Sequence, residues 1–428
     1  MIPATRRRFM KAAATTAAGI SFIPSYLSAG IGGNRASDTL TLGIIGCGKQ
    51  AQGLAHVIMQ VPGTRLVAAC DLHPAKLAKF VDIRKENMMA ADRADEASIA
   101  SYTDYRQLLD HDGLDAVVVA VPDHQHATVC IEALDRGLHV YCEKPLAHTV
   151  EEGRAMVEAV TRSGKVLQTG SMQRSMFNFG RAVELVQSGK LGEVKEVLVG
   201  IGPPPRPFDL EAEAVPEGLD WKAWIGPSVM RPYNPVLLPP LDLDIWAKWR
   251  DYAEFGGGMV TDWGAHMFDI VQWAKGMDKS GPTHFIPPPG ENPQDGLTFY
   301  YADSTRVGHR MFGRGNAIRF IGSEGSLDVS RSFLDSSITG LIPEADQTRQ
   351  DQSDAFVRHM TNFVDVIRNG GELVCPVETG HRTASVCTLA NITYRLGRSL
   401  TWNPEQERFT DDETANQLLG DAYRTSLA

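Results

Sequence analysis

From residue 40 onward the chain alternates short apolar runs with longer amphipathic stretches. Leu40–Ile45, Arg65–Cys70, Ala116–Val121, His139–Cys142 and Lys165–Gln168 read as strands covered on both faces, because apolar residues follow one another without the alternation of a half-exposed strand. Between them, Ala51–Gln60, Pro74–Asn87, Ala127–Arg136 and Val150–Ser163 read as helices. That alternation predicts a doubly wound parallel sheet over 40–170. Past Met172 the texture changes. A helix at Phe179–Ser188 leads to a strand at Val194–Ile201, followed by an irregular region with prolines at 203–205, 227, 232, 235, 239 and 240. Loops of that length tend to be functional covers. Runs at Leu297–Tyr301, Arg306–Phe312, Ala317–Ile321 and Ser326–Val329 predict an open, mostly antiparallel sheet, with helices at 355–369 and 380–398. The expected fold is α/β: an N-terminal doubly wound domain, 40–170, then an α+β domain, 171–428.

Composition narrows the class. With 428 residues, 43% of them apolar and 22% charged, the chain has material for two or three domains with real cores, and a disordered chain is excluded. The formal charge is −10, yet the first 30 residues carry four basic groups and no acidic one, so the remainder is more acidic still. Such a body does not suit the phosphate backbone of a nucleic acid or an anionic membrane. Thr5-Arg6-Arg7-Arg8-Phe9-Met10-Lys11, followed by a mildly apolar run, is similar to a twin-arginine export signal. Thr15, Thr16, Gly19, Ser21 and Pro24 interrupt the run and argue against a stable membrane span. The expectation is a signal over 1–30, an arm over 31–39, and a periplasmic or secreted protein carried by the twin-arginine machinery. Cys47, Cys70, Cys130, Cys142, Cys375 and Cys387 form no CxxC pair, so buried reduced thiols and no zinc or other metal site are expected.

The first strand runs straight into Gly46-Cys47-Gly48-Lys49-Gln50-Ala51 and then a helix. Glycines there let the backbone N–H groups at a helix N-terminus approach a pyrophosphate. Asp71 closes the next strand, where a carboxylate takes ribose hydroxyls and repels a 2′-phosphate, which favours NAD over NADP. Lys144 follows the strand His139–Cys142, at the carboxyl end where such sheets bind ligands. A cis bond before Pro145 is compatible with such a turn. Asp262 and His266 are four apart and so share one face of a helix, where the carboxylate should raise the proton affinity of the imidazole.

Together with the glycine turn, Val121-Pro122-Asp123-His124-Gln125-His126, Glu143-Lys144-Pro145, Gly256-Gly257-Gly258 and Asp262-Trp263-Gly264-Ala265-His266 resemble, in this order, the glucose–fructose oxidoreductase / inositol dehydrogenase / MocA family. The resemblance runs from about residue 40 to about 425. Glu378-Thr379-Gly380-His381-Arg382 and Trp402-Asn403-Pro404 are similar to its secreted bacterial members. It implies Lys144 as the group that polarises the reacting oxygen and His266, assisted by Asp262, as general acid and base. It implies Pro122, His126, Glu143 and Gln173 beside the cofactor, and oligomers formed through the open face of the second sheet. Trp246, Trp249, Arg250 and His381 are candidates for the substrate pocket. One departure stands out: His266 occupies the position where glucose–fructose oxidoreductase has tyrosine.

The expected function is NAD-dependent hydride transfer at a hydroxyl of a sugar, glycoside or polyol, with the cofactor tightly held, because the periplasm offers no nicotinamide pool. Two other readings stay open: an NAD-dependent glycosidase working by transient oxidation and elimination, and a non-catalytic periplasmic sugar-binding relative. The export expectation is directly testable. Replacing Arg6 and Arg7 by lysine should leave the protein in the cytoplasmic fraction on cell fractionation, and an unchanged periplasmic fraction would remove the twin-arginine reading.

Overall fold

Six short strands, all parallel, carry the first half of the chain. The computed structural model describes residues 39–420 except 92, 94–97, 292, 348 and 350. The signal-like segment 1–30 and nearly all of the arm 31–39 therefore lie outside the described residues. In chain order the elements are β1 (Leu40–Ile45), α1 (Lys49–Gln60), β2 (Thr64–Cys70), α2 (Pro74–Ala90), β3 (Ala100–Tyr102), β4 (Ala116–Val119), α3 (His126–Asp135), β5 (His139–Cys142), α4 (Val150–Ser163) and β6 (Leu167–Thr169). The strands lie in the order β3-β2-β1-β4-β5-β6. The order reverses between β1 and β4, the point at which doubly wound sheets open a crevice for ligands. β1, β4 and β5 are almost wholly buried, as their unbroken apolar runs require. α4 is fixed at both ends: Thr149 and Glu152 form a reciprocal capping box, and Gly164 closes it in the left-handed conformation.

The second half adds α5 (Phe177–Gln187), β7 (Val194–Val199), α6 (Gly258–Asp262), α7 (Gly264–Ala274), β8 (His284–Ile286), β9 (Thr298–Tyr300), β10 (Arg306–His309), β11 (Ile318–Gly322), β12 (Ser326–Val329), β13 (Leu334–Ser336), α8 (Gln352–Asn369), α9 (Val377–Leu396), β14 (Leu400–Asn403) and β15 (Arg408–Phe409). Its nine-stranded sheet runs β13-β12-β11-β7-β10-β9-β8-β14-β15. Neighbours are antiparallel except β7 and β10, which pair in parallel. β3, β8, β13 and β15 are three residues or fewer, too short for the apolar pattern to announce them.

The last two long helices return to the first sheet. Met360, Phe363 and Val364 of α8 share a core with Leu42, Ile44, Leu54 and Ile58. Val377 and Ala384 of α9 join Val117, Val140 and Met156. Arg154 of α4 holds both Glu378 and Glu407. The proline-rich region instead has its own small core of Trp221, Trp224, Tyr233, Trp249, Tyr252 and Phe255, with Trp221 and Trp224 stacked at 4.5 Å. All six cysteines are buried and free. Among the described residues no helix is long and apolar enough to cross a membrane.

The second core depends on interlocked aromatic rings. Phe299 is fully buried, with the rings of Phe268, Phe285 and Tyr301 centred 5.4, 5.5 and 6.0 Å away. Phe299→Ala should lower stability by about 3–5 kcal/mol in denaturant unfolding, because packed rings collapse poorly around a cavity.

Candidate active site

The cleft opens where the carboxyl ends of β1 and β4 part. Gly46 adopts φ +90°, and a Cβ placed on it would lie 2.5 Å from the Ala120 carbonyl oxygen, so only glycine fits. Gly48 begins α1 without a side-chain cap, and a Cβ built on it meets no atom within 4 Å. The first N–H groups of α1 are thus free for an anion. Asp71 accepts from the Cys47 N–H and the His73 N–H, both at 2.8 Å, which ties its carboxylate to the turn. Open space at an uncapped helix N-terminus, beside a carboxylate at the end of the adjoining strand, fits a dinucleotide. Residues 40–171 form an NAD-binding Rossmann fold. Lys49 reaches outward, with Nζ donating to the Asp244 carbonyl and pairing with its carboxylate, each at 2.8 Å. Ala51, expected at the cofactor, is fully buried and packs into the core beneath the turn instead.

β5 delivers Lys144 to the cleft. Glu143-Lys144-Pro145 follows it, with a cis bond before Pro145. Glu143 accepts from the Lys144 N–H at 3.2 Å and from Gln50 Nε2 at 2.9 Å, locking the turn to α1. Lys144 Nζ then crosses to the second domain, donating to Asp262 Oδ1 at 2.5 Å and to the Asp262 carbonyl at 2.9 Å. Burial opposes a charge on Asp262, but Lys144 and Arg250 outweigh it and hold the carboxyl below its usual range.

Here one expectation fails. Asp262 was to flank His266 and raise its proton affinity, yet it turns to Lys144. The helical hydrogen-bond pattern breaks between them, α6 ending at Asp262 and α7 beginning at Gly264. His266 Nε2 faces Arg331 at 3.0 Å instead, and Nδ1 has no hydrogen-bond partner among the described residues. Burial, Lys144 and Arg331 together push the imidazole well below its usual value, so it stays neutral.

The 121–126 motif acts mostly as a clamp. His124 faces the Trp224 carbonyl at 3.0 Å and the Phe255 carbonyl at 3.2 Å, and Gln125 donates to the Ala223 and Trp224 carbonyls, so both grip the proline-rich cover. Burial pushes His124 down to about 4. His126 faces the Pro145 carbonyl at 2.8 Å and the Val121 carbonyl at 3.0 Å. Burial opposes its charge, but Cys142, Asp123 and the Pro145 carbonyl push the ring up to about 10, and a doubly protonated ring satisfies both carbonyls. Asp123 lines the cleft, only 4% exposed, and burial pushes its carboxyl up to about 7 against His126, Lys144 and Arg250.

A cavity of about 1100 Å³ joins these groups, with Gly46, Asp71, Pro122, Lys144, Asp262 and His266 on one continuous wall. That volume accommodates a dinucleotide with a small partner. Trp246, Trp249 and Arg250 also line it, with the guanidinium 4.9 Å from the centre of the Trp246 ring and 4.2 Å from that of Trp249. Gln173 stands behind the wall, its Oε1 accepting from Arg331 Nε at 2.9 Å. His381, expected at the substrate, lies elsewhere: it is fully buried and hydrogen-bonded to Glu407 at 2.6 Å, within the ion cluster of Arg154, Arg382 and Glu378. Arg331 had no sequence signal, being a lone basic residue between two serines in the β12–β13 turn.

Residues 40–171 match the oxidoreductase family with NAD-binding Rossmann fold, and residues 207–428 match that family's C-terminal alpha/beta domain. The chain belongs to the glucose–fructose oxidoreductase / inositol dehydrogenase / MocA family. Among curated proteins the chain is similar to a glycosyl hydrolase family 109 protein of Shewanella baltica, 31% identical over 215 residues, which are 44% of each chain. An inositol 2-dehydrogenase of Salmonella typhimurium is 29% identical over 36% of this chain and 44% of its own. The matched stretches span less than half the length of these relatives. In fold, the chain is similar to the WlbA dehydrogenase of Bordetella pertussis, crystallised with NADH and UDP-GlcNAcA (TM-score 0.63, 18% identity, 86% and 99% of the two chains). The myo-inositol 2-dehydrogenase of Lactobacillus plantarum is likewise similar (TM-score 0.57, 19% identity, 85% and 99%).

The raised carboxyl of Asp123 has a measurable consequence. An acid that holds its proton more tightly when folded contributes most below its unfolded value near 3.8, and that contribution is lost as pH climbs towards about 7. Asp123→Asn should therefore gain several degrees of Tm relative to the parent between pH 4.5 and pH 8. A difference independent of pH would show that Asp123 does not titrate in this window.

Proposed function

We propose that this oxidoreductase uses tightly held NAD, in preference to NADP, to oxidise or reduce a CH–OH group of a sugar, glycoside or polyol. The observation that carries the reading is the Lys144–Asp262 pair beside neutral His266, in one cavity with the Gly46–Gly48 turn. Bound NAD supplies the hydride acceptor or donor. Two of the three Lys144 N–H bonds go to Asp262, and the third is left for a substrate oxygen, where it stabilises alkoxide character. Asp262 keeps that ammonium charged and aimed. His266 is in the neutral form that accepts the hydroxyl proton. Trp246, Trp249 and Arg250 present a flat, cationic wall suited to a sugar ring. The arginine pair at Arg6 and Arg7 supports export to the periplasm, where a retained cofactor must be recycled in place. Self-association through the open face of the second sheet belongs to the same proposal.

The similarity to glycosyl hydrolase family 109 proteins supports a second reading, in which the same cleft oxidises a glycoside transiently, releases the aglycone and reduces the product again. Release of aglycone without net NADH separates the two.

Lys144→Ala and His266→Ala should each lower kcat/KM by about 100- to 10,000-fold in a sugar-dependent NADH absorbance assay or an aglycone-release assay. Parent-like turnover in both variants refutes the assignment.

A further inference from the structure

Arg331 is a cation held in place with its recognition edge unused. The turn that carries it is pinned: Ser330 Oγ accepts from the N–H groups of Ser332 and Phe333, and Asn178 Nδ2 donates to the Ser330 carbonyl. The guanidinium lies 4.7 Å from the centre of the Trp263 ring, its Nε–H goes to Gln173 and one further N–H goes to His266. An arginine has five N–H donors, so three remain. Among the described residues no carboxylate forms an ion pair with it. Asp262, one of the carboxylates near enough to act on its charge, is engaged by Lys144 and lies 3.8 Å from Arg250. Elsewhere the protein does pair such groups: Arg154, Arg174, Arg319 and Arg358 all hold carboxylates.

The reaction end of the cavity is therefore over-supplied with positive charge. Lys144, Arg250 and Arg331 face Asp262, while burial drives the carboxyls of Asp123 and Glu143 towards their neutral forms. A partly desolvated guanidinium without a counter-ion is unfavourable until something supplies one. Its planar fork matches a carboxylate with two parallel hydrogen bonds better than it matches any neutral sugar hydroxyl.

The geometry points to Arg331 as the residue that selects an acidic substrate, a sugar bearing a carboxylate such as a uronic acid or its glycoside. The inference rests on the sugar-oxidoreductase reading for the location of the substrate.

The test compares methyl glucuronides and galacturonides with the corresponding methyl glucosides and galactosides. Binding to the NADH-loaded protein is measured by titration calorimetry, and turnover separately. The uronides should bind at least about ten times more tightly. Arg331→Gln should bring that ratio close to one, and Arg331→Lys, which keeps the charge and loses the fork, should leave it in between. NADH affinity of each variant checks that the fold is intact. Equal binding of acidic and neutral glycosides by the unaltered protein overturns the inference, whatever the variants do. Selective uronide binding without turnover would uphold the acidic-substrate inference while removing the redox reading. Turnover of neutral and acidic sugars alike would do the reverse.

Discussion

The bond from the Lys144 ammonium to the Asp262 carboxylate joins two halves of the molecule across 118 residues and lies at the wall of the cleft. Each partner is mostly shielded from water, so each needs the other: a single charge left there unpaired would cost several kcal/mol. Much of the nearby architecture serves to bring the two together. β5 ends where Lys144 must begin, Glu143 and His126 fix the turn around it, and the Gly256–Gly258 bend allows α6 to start close against the chain at Pro203–Pro205. Gly258, at φ +65°, is the residue that makes this approach, since a Cβ there would collide with Pro205.

The same pair accounts for the state of His266. A lysine kept charged by Asp262 places a positive charge near the imidazole, and Arg331 adds a second. Both charges act on a ring that burial has already made hard to protonate. The result is a neutral imidazole beside two cations. This differs from a dyad in which a carboxylate shares the proton of the imidazole, because Asp262 is occupied with holding Lys144. The cleft thus separates its roles by partner: Asp262 serves the lysine, Arg331 touches the histidine, and Asp123 is buried without an ion pair among the described residues.

The cover over the cleft is attached rather than merely adjacent. His124 and Gln125 bind its backbone from below, His148 reaches the Ala253 carbonyl at 2.9 Å, and Lys49 meets Asp244 at its rim. One short motif after β4 therefore serves both the cover and the Lys144 turn, which explains a density of histidines that would otherwise suggest a metal site. Among the described residues no group of three or more histidine, cysteine, aspartate or glutamate side chains could hold a metal ion.

What was readable from residues alone follows from local physics. Parallel strands buried on both faces leave apolar runs, a tight turn at a helix start demands glycine, and the ordered motifs identify the family, so the doubly wound sheet, the nucleotide end and the place of Lys144 in the cleft were all legible. The positions of Ala51, His381 and Arg331 were not. Ala51 and His381 sit in motifs that look functional, but burial assigns one to a core and the other to an ion cluster around Glu407. Arg331 sits in no motif and reaches the cavity only because the β12–β13 turn projects there. Nor could spacing reveal that Asp262 turns away from His266. Four residues along a helix specify a shared face, whereas the choice of partner depends on which charge the other domain brings within reach, and that is decided by tertiary structure.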